Sequence, residues 1–441
     1  MDRTSDDSFN DLVGHYLGER LPEALAARIP MAGQPRETRN FIRRLLRLMQ
    51  AAGVPAASVS PLLPQWLSFV NAVLPGAWGG RVPPLTFAGR HAGLDAYVGA
   101  ERRFEEQVCP VFLDLGCGFP PVTTADTARA LPRWQVLGVD CSFPEYIVYD
   151  PHGNYACFDG NGTFLYFQPK AGPRGRAMYQ DPEATRSYFT GLFLALRPEG
   201  QAPPAATEPA QHTTERDGSR LIRHHIRAFE APNLTFVRSD IRRMDLPRAA
   251  VIRGMNLFLY FDAIRRKQYL WQAADRLEPG GLMITGTNGR GPQARYSVYE
   301  RRPRGPVLKE FAFSPDNLSP VAFMPWFTIQ DNDPEALALA RLLRILRADR
   351  EFWPEFIRAA EALAASSGIF GQKTGTEAPR PATGTADLLR YSLTLQEMME
   401  TKGFTDGAVA ALERFGFRAW INAGGDIAVV PDDFLGAGLS L

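Results

Sequence analysis

The stretch from Val111 to Ser142, VFLDLGCGFPPVTTADTARALPRWQVLGVDCS, constrains the chain more than any other. It compresses an apolar strand, a glycine-rich corner, a helix and a second strand ending in Asp140 into a single strand-helix-strand unit. Such a unit belongs to a doubly wound α/β sheet, in which ligands bind beyond the carboxyl ends of the strands. Gly116 and Gly118 let a ligand lie against backbone at the start of the following helix, and Asp114 closes the first strand. Asp140, at the end of the second strand, is placed to accept hydrogen bonds from the two hydroxyls of a ribose. The dinucleotide fingerprint G-x-G-x-x-G is not met, because its third glycine position is Pro121. The pattern therefore favours an adenosine-containing ligand other than a dinucleotide.

The α/β pattern resumes downstream. NLTFVRSDI, AAVIRGMNLFLYF, the helix DAIRRKQYLWQAADRL and EPGGLMITGTN supply further strands and a crossover. TDGAVAALERFGFRAWINAGGDIAVVP reads as a helix stopped at Gly416, followed by two closing strands around an Ala423-Gly-Gly-Asp turn. Two insertions interrupt the sheet, at about 143–230 and 290–402. The first opens with EYIVYDPHGNYACFDGNGTFLYFQP, a β-meander whose turns run from Asp150 to Gly153 and from Asp159 to Gly162. The second opens with ARYSVYERRPRGPVLKEFAFS, another hairpin, and both insertions are expected near the substrate. Pro/Ala/Thr-rich tracts at 197–218 and around GQKTGTEAPRPATGTA are expected to be loops. Residues 1–85 form a helical N-terminal domain: RETRNFIRRLLRLMQAAG carries Phe41, Leu45, Leu46 and Met49 at helical spacing. Its apolar PLLPQWLSFVNAVLPGAWGG needs burial, either as a cover over the ligand cleft or as a packing or dimer surface.

Four ordered elements resemble the class I S-adenosylmethionine-dependent methyltransferases. DLGCGFPPVTT is similar to the family's first motif, Asp140 to its ribose-binding acid, and RSDI, with Asp240 and Ile241, to its adenine-contacting segment. RLEPGGLMITG is similar to the turn before its fifth strand, and VIRGMNLFLYFD resembles the fourth strand of chemotaxis-receptor glutamate methyltransferases, whose first motif is not matched. The resemblance implies a Rossmann-like, doubly wound, seven-stranded sheet in residues 86–441, with S-adenosyl-L-methionine held by Asp114, Gly116, Gly118, Asp140, Asp240, Ile241 and Asn256.

No sharp catalytic constellation accompanies it. A sulfonium methyl is already activated, so alignment of an acceptor and exclusion of water suffice. Asn256 and Tyr260 follow an apolar strand, where side chains can reach the reacting end of the ligand; Asn256 is the better candidate, and Tyr260 reads first as core. His225, paired with His224 in RLIRHHIRAFE, offers a general base or simply a solvated basic helix. The aromatic meander can line an acceptor pocket with one of its two faces. No metal-type spacing occurs, and Cys109, Cys117, Cys141 and Cys157 read as packing residues of a reducing compartment.

Lys+Arg 49 against Asp+Glu 48 leaves a formal charge of +1, which gives nucleic acid or an anionic membrane no attractive field. The polar, acidic start MDRTSDDSFN is no signal peptide, so a cytoplasmic protein is expected. The expected function is methyl transfer to a small-molecule acceptor of secondary metabolism. Intramolecular displacement on the same ligand with release of methylthioadenosine, and ligand binding without turnover, stay open, as does a homodimer.

Overall fold

The computed structural model describes residue 14 and residues 36–56, 86–170, 173–197, 213–223, 226–289, 293–319, 334–367 and 385–431. The chain is mixed α/β and divides into two compact units. One lies within Asn71–Gly89 and Glu106–Pro247, the other within Met1–Val70, Arg90–Glu105 and Arg248–Leu441. The apolar 61–80 stretch, His224 and His225, and most of both Pro-rich tracts fall outside the described residues.

In the first unit, β1 (Val111–Leu115) and β2 (Gln135–Asp140) pair in parallel, with Asp114 opposite Gly138. The helix Val122–Ala130 joins them. The unit also contains β3 (Tyr146–Tyr149), β4 (Tyr155–Phe158), β5 (Phe164–Gln168), β6 (Thr213–Arg216), β7 (Ser219–Arg223) and β8 (Leu234–Arg238). Strand β8 extends the parallel sheet on the far edge of β2, with Asp140 opposite Arg238. The expected meander is present, and β7 and β6 enlarge it into a five-stranded antiparallel sheet in the order β5-β4-β3-β7-β6. Its two tight turns have one cause. The Asp150 carboxylate accepts the N–H groups of His152 and Asn154, and Asp159 accepts those of Asn161 and Thr163, so each aspartate folds its own loop.

Strand alternation gives that sheet two apolar faces. Tyr146, Val148, Phe158 and Phe167 lie on one, buried under Phe189, Phe193 and Leu196 of the helix Pro182–Leu196. Ile147, Cys157, Leu165 and Tyr166 lie on the other with Phe119, Ile226 and the partly buried Phe143, Tyr149, Tyr155, Phe229 and Phe236. An irregularity in the β4–β5 register puts Leu165 and Tyr166 on the same face.

The second unit contains β9 (Ala249–Met255), β10 (Leu277–Asn288), β11 (Ala294–Arg302), β12 (Gly305–Phe313), β13 (Ala419–Ile421) and β14 (Ile427–Val429). β9 and β10 are parallel and linked by the helix Ala263–Asp275; β11, β12, β14 and β13 follow in that order, all antiparallel. The hairpin expected to open the second insertion is thus two strands of the sheet itself, between β10 and the closing strands. Its residues explain the position: successive side chains of β11 from Ala294 to Tyr299 are all buried, which requires cover on both faces.

The helix Arg36–Ala51 buries Ile42, Leu45, Leu46, Leu48 and Met49 in a core with Leu339, Leu342, Leu343, Phe356 and Leu412 of the later helices and Phe311 and Val429 of the sheet. Among the described residues no helix is long and apolar enough to cross a membrane.

Candidate functional site

The glycine corner is built by backbone bonds that only its sequence permits. Gly116 and Gly118 adopt φ of 70° and 65°, the left-handed region open to glycine without strain. That fold lets the N–H groups of Gly116 and Cys117 both donate to the Val139 carbonyl, at 2.7 and 3.2 Å, tying the exit of β1 to the end of β2. Among the described residues nothing lies within 4 Å of where a Gly118 Cβ would stand.

Asp140 spans this corner. Its Oδ2 accepts the Gly118 N–H at 3.1 Å and its Oδ1 accepts the Ser142 N–H at 3.1 Å. Those two bonds fix the carboxylate at the carboxyl end of β2. Asp114 is buried and takes a 2.6 Å hydrogen bond from the Thr124 hydroxyl in the first turn of the following helix. It acts as a brace between strand and helix. Thr124 is absent from the sequence-derived set; a threonine in the first turn of a helix, ten residues after a strand-end aspartate, is the signal that could have marked it.

Asp240 and Ile241 follow β8. Arg242 holds the Asp240 carboxylate through its backbone N–H at 2.9 Å and a side-chain clamp, Nε to Oδ2 at 2.8 Å. The hydrogen bonds from the Arg242 side chain, against a smaller burial effect, keep this carboxyl below its ordinary range, so it is ionised at neutral pH. The adenine-contacting aspartate of the sequence reading is therefore already engaged by a local arginine. Phe119 was also missed. It projects from the glycine corner onto the aromatic face of the five-stranded sheet, edge-on to Phe229 at 5.8 Å, and seats the corner there.

Asn256 and Tyr260 belong to the other unit. Asn256 follows β9 with φ of 55°, uncommon for a residue bearing a Cβ. Its N–H donates to Gly286 O at 2.9 Å and its Oδ1 accepts the Asn288 N–H at 2.9 Å, so it staples the exits of β9 and β10. Burial pushes the Tyr260 hydroxyl up to about 12. It stays protonated at neutral pH, suited to donating a hydrogen bond and unsuited to accepting a proton. His225 lies outside the described residues.

No protein-family model matches the chain, and no curated protein does. The solved structures it resembles are S-adenosylmethionine-dependent methyltransferases. The plantazolicin methyltransferase BpumL in complex with SAH is 11% identical over 57% of this chain and 63% of its own, with a TM-score of 0.22. A methyltransferase from Clostridium acetobutylicum is 12% identical over 51% of this chain and 65% of its own, with a TM-score of 0.20. Coclaurine N-methyltransferase bound to N-methylheliamine and SAH is 13% identical over 96% of this chain and 94% of its own, with a TM-score of 0.24. The chain spans less than two thirds of the length of the first two. Overlaps this loose leave the functional argument to the chain's own geometry.

Proposed function

We propose that the protein is an S-adenosylmethionine-dependent methyltransferase acting on a small-molecule acceptor of secondary metabolism. The observation that carries the reading is the Asp140 carboxylate, anchored on the Gly118 and Ser142 N–H groups at the carboxyl end of β2, beside a glycine corner where no described residue crowds the Gly118 Cα. Those residues fit the group: a ribose requires a fixed carboxylate, and an extended adenosyl ligand requires a backbone surface without side chains. When bound, S-adenosylmethionine supplies a methyl carbon activated by its positive sulfur, which passes to an acceptor lone pair as the carbon–sulfur bond breaks and its electron pair returns to sulfur.

The chain's own work is then positioning. Asp140 orients the ribose, Gly116 to Gly118 admit the ligand to the backbone, and Thr124 fixes Asp114 behind them. Tyr149 and Tyr155, tilted against one another at a ring separation of 5.1 Å on the partly buried aromatic face, suit an apolar or aromatic acceptor. The near-neutral chain offers no field for a polyanion.

Calorimetry with S-adenosylhomocysteine tests the reading. One site per chain is expected, and Asp140→Ala should weaken it by about 1–3 kcal/mol, roughly 5- to 150-fold, through loss of a charge-assisted partner. Absence of heat at millimolar ligand overturns the assignment. With cell extract as acceptor source, S-adenosylhomocysteine as product marks methyl transfer and methylthioadenosine marks displacement.

A further inference from the structure

A single row of side chains crosses the whole five-stranded sheet of the first unit. The register sets Glu215 of β6 opposite Arg220 of β7, Arg220 opposite Tyr149 of β3, Tyr149 opposite Tyr155 of β4, and Tyr155 opposite Gln168 of β5. Directly opposed residues of antiparallel strands share a face, so the row stands on the face that packs with Phe119 of the glycine corner, in the same unit. The neighbouring row on that face, with Ile147, Cys157 and Tyr166, is buried. Tyr149 and Tyr155 are only partly covered, and Arg220 is exposed. The apolar face therefore ends in rings and a charge that solvent reaches.

Arg220 faces Glu215 across the strands, yet its guanidinium lies over the Tyr149 ring, 5.1 Å from the centroid. Stacking engages the flat face of a guanidinium and leaves its N–H edges in the plane. Among the described residues nothing accepts from those edges. The Tyr155 ring lies 5.1 Å from that of Tyr149, tilted by 40°. Burial raises both tyrosine hydroxyls above their ordinary range, on Tyr149 against the pull of the Arg220 charge, so both remain donors at neutral pH.

We propose that this row binds a planar aromatic carboxylate, with the Tyr149–Tyr155 pair receiving the ring and the Arg220 N–H edges donating to the carboxylate. A guanidinium fork matches a carboxylate in geometry and charge, and tilted or edge-on aromatic contacts suit a flat ring. The row carries one cation with the Glu215 carboxylate opposite it, which favours a single carboxylate over the phosphate chain of a nucleic acid. That this aromatic acid is the methyl acceptor rests on the methyltransferase reading, whereas its binding does not.

The probes are 2-naphthoate, the uncharged 2-naphthamide and the non-aromatic cyclohexanecarboxylate, read by thermal shift and calorimetry on the full chain. Naphthoate should raise the melting temperature more than either of the others. Arg220→Leu should weaken naphthoate at least tenfold while changing naphthamide less than twofold. Tyr155→Leu should erase the preference for naphthoate over cyclohexanecarboxylate, and Tyr155→Phe, which keeps the ring, should retain it. Arg220 is exposed, so its variant decides the matter even if Tyr155→Leu does not fold. Equal responses to naphthoate and naphthamide, an unchanged naphthoate affinity in Arg220→Leu, displacement of naphthoate by S-adenosylhomocysteine, or displacement by a single-stranded oligothymidylate at equal concentration would overturn the proposal. Naphthoate discrimination without S-adenosylhomocysteine binding would leave the aromatic-acid site standing and remove only the methyltransferase reading.

Discussion

At the scale of the residue, the charge state of Asp426 depends on pH. It is fully buried, and the Tyr296 hydroxyl, itself bonded by Asn422, donates to it at 2.8 Å. Burial pushes its carboxyl up to about 7, with the nearby Asp316 and Glu310 acting in the same direction against the Tyr296 hydrogen bond. In the unfolded chain an aspartate titrates near 4, so between those values the folded state holds the extra proton. Stability is then full below about pH 4 and falls as pH rises towards 7. A loss on the order of 2 kcal/mol from this residue is expected between pH 5.5 and 7.5. Asp426→Asn keeps an acceptor for Tyr296 and removes the titration. Urea denaturation across that range should show a flatter profile for the variant than for the wild type; parallel profiles would place the charge elsewhere.

At the level of the element, the helix Pro182–Leu196 decides whether the inserted five-stranded sheet keeps its shape. Asp181 caps it by accepting the Ala184 N–H at 3.1 Å, with Pro182 at the first turn, where the missing N–H is harmless. Phe193 stacks on Phe158 at 4.6 Å and meets Tyr146 edge-on at 5.5 Å. Phe193→Ala should cost about 3–5 kcal/mol, since it empties a site closed on all sides. Asp181→Ala should cost about 1 kcal/mol through the lost cap. Hydrogen exchange should show β3 to β5 opening more readily in Phe193→Ala than in Asp181→Ala; equal protection in the two variants would mean that the sheet stands without the helix.

For the whole molecule, ligand binding and stability are one equilibrium. If S-adenosylhomocysteine binds the folded chain alone, a concentration of 100 times its dissociation constant adds about 2.7 kcal/mol and raises the melting temperature by several degrees. Hydrogen exchange should slow around 114–118 and 138–142, where the corner and the Asp140 turn lie. A melting temperature that rises without protection there would move the ligand to another part of the chain.

Much of this architecture was legible from the residues alone. The β1-corner-β2 unit, the two aspartate turns of the meander, the Ala263–Asp275 helix and the closing β13–β14 hairpin all form where the sequence places them. Each rests on a local rule: apolar runs, glycine at positive φ, or a carboxylate bonding its own backbone two residues on. Tertiary structure decided what those elements meet. It alone turned the 294–313 hairpin into two strands of the sheet and packed the Arg36–Ala51 helix against helices some 300 residues later. It alone brought Asp95 to Arg253, Arg266 to Glu335 and Tyr296 to Asp426, pairs 158, 69 and 130 residues apart. A residue's backbone preference acts within a few neighbours and can be read in order along the chain. The partner of a buried charge is fixed by packing, which brings together residues that no spacing rule connects.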